Sequence, residues 1–181
     1  FAAAEKIGLR FHATRGSMSR SKKDGGLPPD SVVQTEEEIM QDCERLINKY
    51  HDTSRHSMRK IALAPCSPFS VTPRLLEETA KFARTKKVKM HTHLCETNDE
   101  DDYCLKVYKL RPIDFMESVG WMGPDVWFAH SIYVNDKEIE RMGKAGTGVA
   151  HCPSSNLRLG SGIAPVPRML ECGVPVGIAV D

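Results

Sequence analysis

Apolar, β-rich runs alternate with helical patterns along the whole sequence, and this alternation limits the fold more than any other feature. The predicted strands are Gly8–His12, Lys60–Ala64, Val88–His93, Val126–His130, Gly148–His151 and Val174–Val180. The predicted helices lie between them, at Thr35–Tyr50, Pro73–Lys86, Glu100–Leu110, Pro112–Val119, Asp136–Lys144 and Val166–Cys172. Strand–helix repeats of this regularity predict a parallel sheet with right-handed crossovers. The fold class is therefore α/β, as an open sheet or as a barrel.

Polar residues at the strand ends distinguish these two architectures. Most of the predicted strands end on a histidine or an aspartate, namely His12, the pair His91 and His93, His130, His151 and Asp181. Barrel enzymes build their active sites from the carboxyl ends of several strands. An open sheet would instead favour a glycine-rich turn after its first strand, which this sequence lacks. We predict a (β/α)8 TIM-type barrel.

Length and composition limit the number of domains, the class of partner and the cellular location. A chain of 181 residues suits one well-buried domain, and its net charge of +1 favours neither nucleic acid nor an anionic membrane surface as a partner. No apolar run approaches the roughly 20 residues needed to cross a bilayer. Six cysteines without a C-x-x-C pair predict reduced thiols and a cytoplasmic location. The last predicted strand ends abruptly at Asp181, so we expect the chain to be part of a longer protein.

The segment His91-Thr-His93-Leu-Cys-Glu96 is the strongest chemical signal in the sequence. Alternate residues of a strand face the same side, so both imidazoles are expected in one cavity. A neutral imidazole is a good ligand for a divalent metal. Glu96 follows in the next loop and can reach the same cavity without occupying the metal.

Further strand-end residues complete this set. His130 and Asp181 supply a third imidazole and a carboxylate, which are the groups needed to bind a metal and activate water. His151 is another rim imidazole, and Pro153 with the polar residues after it indicates a loop that shapes the substrate site. His51 and His56 lie in a polar segment and are predicted to be solvated surface residues.

Several motifs resemble one family. They are His91–Glu96, Phe128-Ala-His130, the run from His151 to Gly162 and the terminal Asp181. Together they resemble the cytosine deaminase and chlorohydrolase-like branch of the amidohydrolase superfamily. The segments Arg10–Ser19, Gly25–Asp30 and Ala64–Thr72 are similar to the group of 8-oxoguanine deaminase and hydroxydechloroatrazine ethylaminohydrolase.

The resemblance implies one metal, most often zinc and sometimes iron. In the family it is held by a His-x-His pair on the first strand, a histidine on the fifth and an aspartate on the eighth. His93 and Asp181 match the last two ligands, and Glu96, His130 and Asp181 match the catalytic residues. The six predicted strands then correspond to strands three to eight. Residues 1–181 would be part of a single barrel domain whose first two strands and flanking β-domain are absent.

The implied reaction is hydrolytic deamination of an oxidised purine, a pterin or a related nitrogen heterocycle. Glu96 would donate a proton to a ring nitrogen, and Asp181 and His130 would accept the proton of the attacking water. The segment Arg15–Val33 is predicted to be a long loop at the rim. The predicted substrate contacts are Arg15, Ser19, Cys66, Phe69, His91 and Asn156; for His91, bracing of its neighbour is an equal alternative.

Two other readings stay open. The same barrel could remove chloride or an alkylamine from a triazine. The chain could also be a non-catalytic copy that serves only in assembly. The predicted partner in either catalytic case is a small heterocycle, without nucleic acid or membrane, and a homo-oligomer is compatible with the family.

Overall fold

The structure is a computed structural model that describes residues 1–181. It contains six strands in a parallel sheet whose order follows the chain, β1-β2-β3-β4-β5-β6. The strands are β1 (Phe11–Ser17), β2 (Arg59–Pro65), β3 (Lys89–Leu94), β4 (Val126–His130), β5 (Gly148–His151) and β6 (Val176–Ile178). The helices are α1 (Ala2–Lys6), α2 (Glu36–Tyr50), α3 (Pro73–Lys86), α4 (Asn98–Tyr108), α5 (Pro112–Ser118), α6 (Asp136–Ala145), α7 (Pro153–Leu159) and α8 (Val166–Glu171). The parallel α/β fold and the partial barrel are confirmed.

The chain divides into two compact units. Unit 1 comprises Phe1–Cys66 and Ser70–Met90, and unit 2 comprises Ser67–Phe69 and His91–Asp181. None of the helices combines the length and the apolar character that crossing a membrane requires. All six cysteines are free thiols.

In unit 1 the two long helices α2 and α3 pack on β2 and on each other. Helix α2 begins at a capping box in which Thr35 and Glu38 exchange hydrogen bonds, and Thr72 caps α3 ahead of a proline. The buried residues of α2 recur every four positions, at Ile39, Cys43 and Ile47, which places one apolar face of the helix in the core.

The first strand lies later in the sequence than predicted. The predicted strand Gly8–His12 was wrong, because β1 pairs with the buried β2 from Phe11↔Arg59 to Ser17↔Pro65. Pairing with a buried neighbour selects these residues although several of them are polar. His12 therefore lies near the amino end of β1 and not at the catalytic rim. The following loop starts after Ser17, so its predicted start at Arg15 was also wrong.

His51 also differs from its prediction as a solvated residue. Its Nδ1 accepts a hydrogen bond of 3.0 Å from the backbone N–H of Ile61, and burial lowers the pKa of the ring. His56 is exposed, as predicted.

Unit 2 contains β4, β5, β6 and the part of β3 from His91 onwards, with a core of large apolar side chains. The fully buried ones include Trp121, Phe128, Ile113, Met116, Ile139 and Met142. Helix α6 begins at a capping box between Asn135 and Glu138, and Gly173 has a left-handed conformation after α8. Gly143 lets α6 approach the end of α8, since a Cβ at this position would collide with the backbone carbonyl of Cys172.

The last strand is short and lies at the edge of the sheet. We predicted a buried strand over Val174–Val180, but Ile178 is 86% exposed and Val180 is 79% exposed. On one side β6 pairs with β5, and in the strand order no strand follows it on the other. An apolar sequence alone cannot reveal which side of a strand lacks a neighbour.

A buried ion network ties α4, α5 and α6 together within unit 2. Arg111 donates to both carboxylate oxygens of Glu138, at 2.7 and 3.2 Å, and also contacts Asp101 at 2.5 Å. It donates in addition to the carbonyl oxygen of Tyr133. The Glu138 side chain is only 2% exposed, so it depends on this partner for its charge.

We expect Arg111→Met to lower the free energy of unfolding by about 3 kcal/mol, because it leaves a buried carboxylate without its counter-charge. Arg141→Met is the matched control, since Arg141 pairs with Asp114 and Glu117 at a more exposed position. The control should cost about 0–1 kcal/mol. Urea denaturation of both variants measures the difference, and equal losses would contradict the structural role of Arg111.

Candidate active site

Strand β3 presents two imidazoles on one face. His91 and His93 alternate with Met90, Thr92 and Leu94, which are buried on the other side of the strand. This alternation is the simple consequence of the pleat, in which successive side chains point to opposite faces. The two rings lie with their centroids 5.7 Å apart.

The imidazoles of β3 and β4 meet the carboxylate that follows β6. The Nε2 atom of His93 lies 3.6 Å from Oδ1 of Asp181, and Nε2 of His130 lies 3.8 Å from Oδ2 of the same residue. One ligand atom from each of these three residues lies within 4.8 Å of the others. Two ligands of a tetrahedral zinc are at most about 4 Å apart, so the pair His93–Asp181 has the spacing of metal ligands. This convergence was the sequence-based expectation.

His130 shows why this place suits a cation. Its side chain is fully buried, and its Nδ1 lies 2.8 Å from Oδ1 of Asn156. Since an amide oxygen only accepts, Nδ1 donates this hydrogen bond, and in the neutral ring Nε2 is then the nitrogen that can accept or bind a metal. That Nε2 has no hydrogen-bond partner within the protein. A buried, unpaired nitrogen beside a carboxylate fits a bound metal or a water held by one.

Asp181 is held in its charged form. Ser155 of α7 donates a hydrogen bond of 2.6 Å to its Oδ2. This bond, helped by the nearby His130 and His93, lowers the pKa of the Asp181 carboxyl. A carboxylate that stays ionised can bind a cation and accept a proton. Ser155 was not predicted from the sequence, where its only signal is its place after a strand-end histidine and Pro153.

Glu96 lies on the other side of His130. Its Oε2 is 3.5 Å from the unpaired Nε2, and its side chain is 26% exposed. Glu96 does not belong to the group of three that could hold an ion, which agrees with a role beside the metal and not on it.

His91 packs against a neighbouring strand. Its ring stacks on Trp127 at a centroid distance of 4.9 Å, and its Nδ1 lies 3.2 Å from the Trp127 carbonyl oxygen. The carbonyl can only accept, so Nδ1 donates. Burial lowers the pKa of His91 to about 4 and keeps the ring neutral. These contacts favour the alternative in which His91 supports its neighbour on β3, rather than a contact between His91 and the substrate.

Asn156 was predicted to bind substrate. Its side chain is buried at 1% exposure and its oxygen contacts His130, whereas its Nδ2 has no hydrogen-bond partner. The contact with His130 shows a supporting position, and the substrate role stays a prediction. The segment after Pro153 was predicted as a loop, whereas it forms α7, with the proline at the favoured first helical position.

The other predicted substrate residues lie in separate elements. In unit 1, Arg15 on β1 points to α2, where it pairs with Asp42 at 2.7 Å and donates to Gln34 at 2.9 Å. These structural contacts occupy its guanidinium, and its substrate role stays a prediction. Ser19 has a buried hydroxyl, and the backbone N–H of Cys66 donates to the Ser17 carbonyl.

In unit 2, the short segment containing Phe69 rests on helix α4. Phe69 packs on Tyr103 at a centroid distance of 4.8 Å, and the hydroxyl of Tyr108 donates to the carbonyl of Pro68 at 3.2 Å. Phe69 remains half-buried, so part of its ring can still meet a ligand.

The chain contains one His-x-His pair, and that pair is His91–His93 on β3. The resemblance assigns the other two metal ligands to a His-x-His pair on the first barrel strand. By this resemblance, His93 and Asp181 would be two of the four ligands.

Comparison with known proteins agrees with this geometry. The model of the amidohydrolase family matches residues 1–181. The 8-oxoguanine deaminase of Pseudomonas aeruginosa is 52% identical over 177 residues, which are 98% of this chain and 39% of that protein. An isoxanthopterin deaminase from an unknown prokaryotic organism is 43% identical over 183 residues, covering all of this chain and 38% of the relative.

A solved structure agrees as well. The atrazine chlorohydrolase of Arthrobacter aurescens, determined in complex with zinc, superposes with a TM-score of 0.93 at 35% identity and covers 98% of this chain and 39% of its own. The chain spans about two fifths of the length of these relatives. A family match over every residue, together with relatives of this identity, shows that the chain belongs to the amidohydrolase family.

Proposed function

We propose that this chain is part of a metal-dependent hydrolytic deaminase that acts on an oxidised purine, a pterin or a related nitrogen heterocycle and releases ammonia. The observation that carries the proposal is the convergence of His93, His130 and Asp181 at one place, with Glu96 beside His130. The two deaminases named above support the substrate class, since one acts on 8-oxoguanine and the other on isoxanthopterin.

His93 and Asp181 would hold the metal, most often zinc in this family and sometimes iron. A bound divalent ion supplies the chemistry that turns water into a nucleophile near neutral pH. In the family, the other two metal ligands are a His-x-His pair on the first barrel strand. We therefore propose that residues 1–181 form strands three to eight of a single barrel domain in a longer protein.

Each acidic or basic side chain has one task in this scheme. Asp181, kept ionised by Ser155, accepts the proton of the attacking water and passes it to the departing amine. His130 assists through Nε2, whose lone pair is directed by Asn156. Glu96 delivers a proton to the ring nitrogen next to the carbon under attack, and it recovers a proton from the hydroxyl group of the adduct as the C=O bond forms and ammonia leaves. Such proton transfers are worth about 10² to 10⁴ each in rate.

The same residues could serve a second reaction. Removal of chloride or an alkylamine from a triazine needs the same activated water, and the atrazine chlorohydrolase favours this alternative at the level of fold. Phe69 and the Ser19 hydroxyl remain as proposed substrate contacts, with Cys66 between them in sequence. A cytoplasmic location is proposed from the six free thiols, and a homo-oligomer from the family.

Replacing Glu96 by glutamine in the full-length protein should leave the metal bound while lowering kcat by about 10² or more, because an amide cannot deliver the proton. Metal analysis and steady-state kinetics on the same sample measure the two effects. Glu77→Gln is the control, since Glu77 is an exposed residue of α3. Loss of the metal, or a kcat within about threefold of the unchanged protein, would remove Glu96 from this role.

Ammonia release should discriminate between the two reactions. We expect the full-length protein to prefer 8-oxoguanine or isoxanthopterin over guanine, cytosine and hydroxylated triazines by at least about tenfold in kcat/KM. A site that forms hydrogen bonds to ring substituents rejects analogues that lack them much more strongly than an apolar pocket does. A lead for cytosine or for a triazine would contradict the proposed substrate class.

A further inference from the structure

The turn between His93 and Glu96 is held in an unusual backbone conformation. Cys95 has a φ of +55°, in the left-handed region that residues with a side chain rarely occupy. The residue is fully buried, so its polar backbone groups need partners inside the protein. Such a conformation persists where the surrounding contacts hold it.

Glu100 supplies one of those contacts. Its carboxyl Oε1 accepts a hydrogen bond of 2.5 Å from the backbone N–H of Cys95, and its side chain is only 2% exposed. Thr97, the residue that precedes α4, makes no side-chain cap bond. Glu100 is the third residue after Thr97, where an acidic side chain ordinarily completes a capping box by accepting from the N-cap amide. Here it accepts instead from the amide of Cys95, in the turn before the helix.

The carbonyl side of the same turn binds the segment after His130. The Cys95 carbonyl accepts the N–H groups of Ile132 at 2.8 Å and Tyr133 at 3.0 Å, and the Leu94 carbonyl accepts that of Ser131 at 3.0 Å. This second turn is also strained, with φ values of +68° at His130 and +50° at Ser131. The two turns that carry Glu96 and His130 thus form one hydrogen-bonded unit.

We propose that Glu100 is a positioning residue: by accepting from the Cys95 amide it fixes the turn that places the Glu96 carboxylate beside Nε2 of His130. The inference deepens the function proposed above and rests on it for the role of Glu96. Glu100 acts through the backbone of Cys95 and contacts neither the metal ligands nor a substrate by itself.

Two substitutions of Glu100 separate the hydrogen-bond acceptor from the size of the side chain. Burial raises its pKa to about 8, so near neutral pH the group is largely an uncharged acid that accepts one hydrogen bond. Glutamine keeps that acceptor without a charge. Leucine has a similar size and removes it.

In the full-length protein, Glu100→Leu should lower kcat by about tenfold or more with little change in KM and with the metal retained, whereas Glu100→Gln should stay within about threefold of the unchanged protein. Amide hydrogen exchange of residues 94–97 and 131–133 should become faster in the leucine variant only. Thr147→Val is the matched control. It removes a buried acceptor of the Gly123 amide elsewhere in unit 2, and should leave both kcat and this exchange unchanged.

The proposal is overturned if Glu100→Leu keeps normal kcat and exchange, or if the glutamine variant is as impaired as the leucine variant. Should Glu100→Leu not fold, Glu100→Asp is the alternative: it keeps an acid but shortens the side chain by one methylene, which withdraws the acceptor from the Cys95 amide, and its kcat is expected to fall in the same direction. Normal kcat and exchange in that variant would also contradict the proposal. Hydrogen exchange tests the turn even if no heterocycle is hydrolysed, so failure of the proposed reaction can be distinguished from failure of this inference.

Discussion

The hydrogen bond between Nδ1 of His130 and Oδ1 of Asn156 sets the chemistry of the site. It directs Nε2 towards Asp181 and Glu96, and it uses a side chain that is itself almost fully buried. Without it the ring could present an N–H to the same place, and a cation would be repelled. Metal sites commonly depend on such outer partners, which orient the ligands and fix their tautomers.

The other polar side chains of the site differ in how many protein contacts fix their position and charge. Ser155 holds Asp181 in its charged form, and Trp127 holds His91 as a neutral brace. The side chain of Glu96 lies 3.5 Å from Nε2 of His130, and its backbone follows the turn at Cys95. For the proposed proton transfer this arrangement is favourable, because the backbone fixes the position of the carboxyl without a side-chain hydrogen bond to a protein donor.

Much of this could be predicted from the sequence, because the signals were local. Strands β4 and β5 and helix α3 had the predicted bounds, since buried apolar runs, a proline after Thr72 and the capping boxes each specify structure over a few residues. Strand β1 could not be located, because its register is set by the buried strand β2 and not by its own polar side chains. For the same reason Arg15 could not be recognised as the partner of Asp42, which lies 27 residues away.

The residues of the site also divide into those that local sequence could predict and those that it could not. The spacing of His93 and Glu96 and the strand-end positions of His130 and Asp181 were visible in the sequence, whereas the roles of Asn156 and Ser155 depend on the direction in which α7 leaves β5. Pro153 marked a break after β5, and a proline at that point is compatible with a loop as well as with the first turn of a helix.

The most direct test of this account is to locate the metal by anomalous diffraction from crystals of the full-length protein grown with zinc. We expect one strong site about 2.0–2.2 Å from Nε2 of His93 and from a carboxylate oxygen of Asp181, with Glu96 outside the coordination sphere. A metal bound without His93 and Asp181, or one that Glu96 coordinates directly, would contradict it.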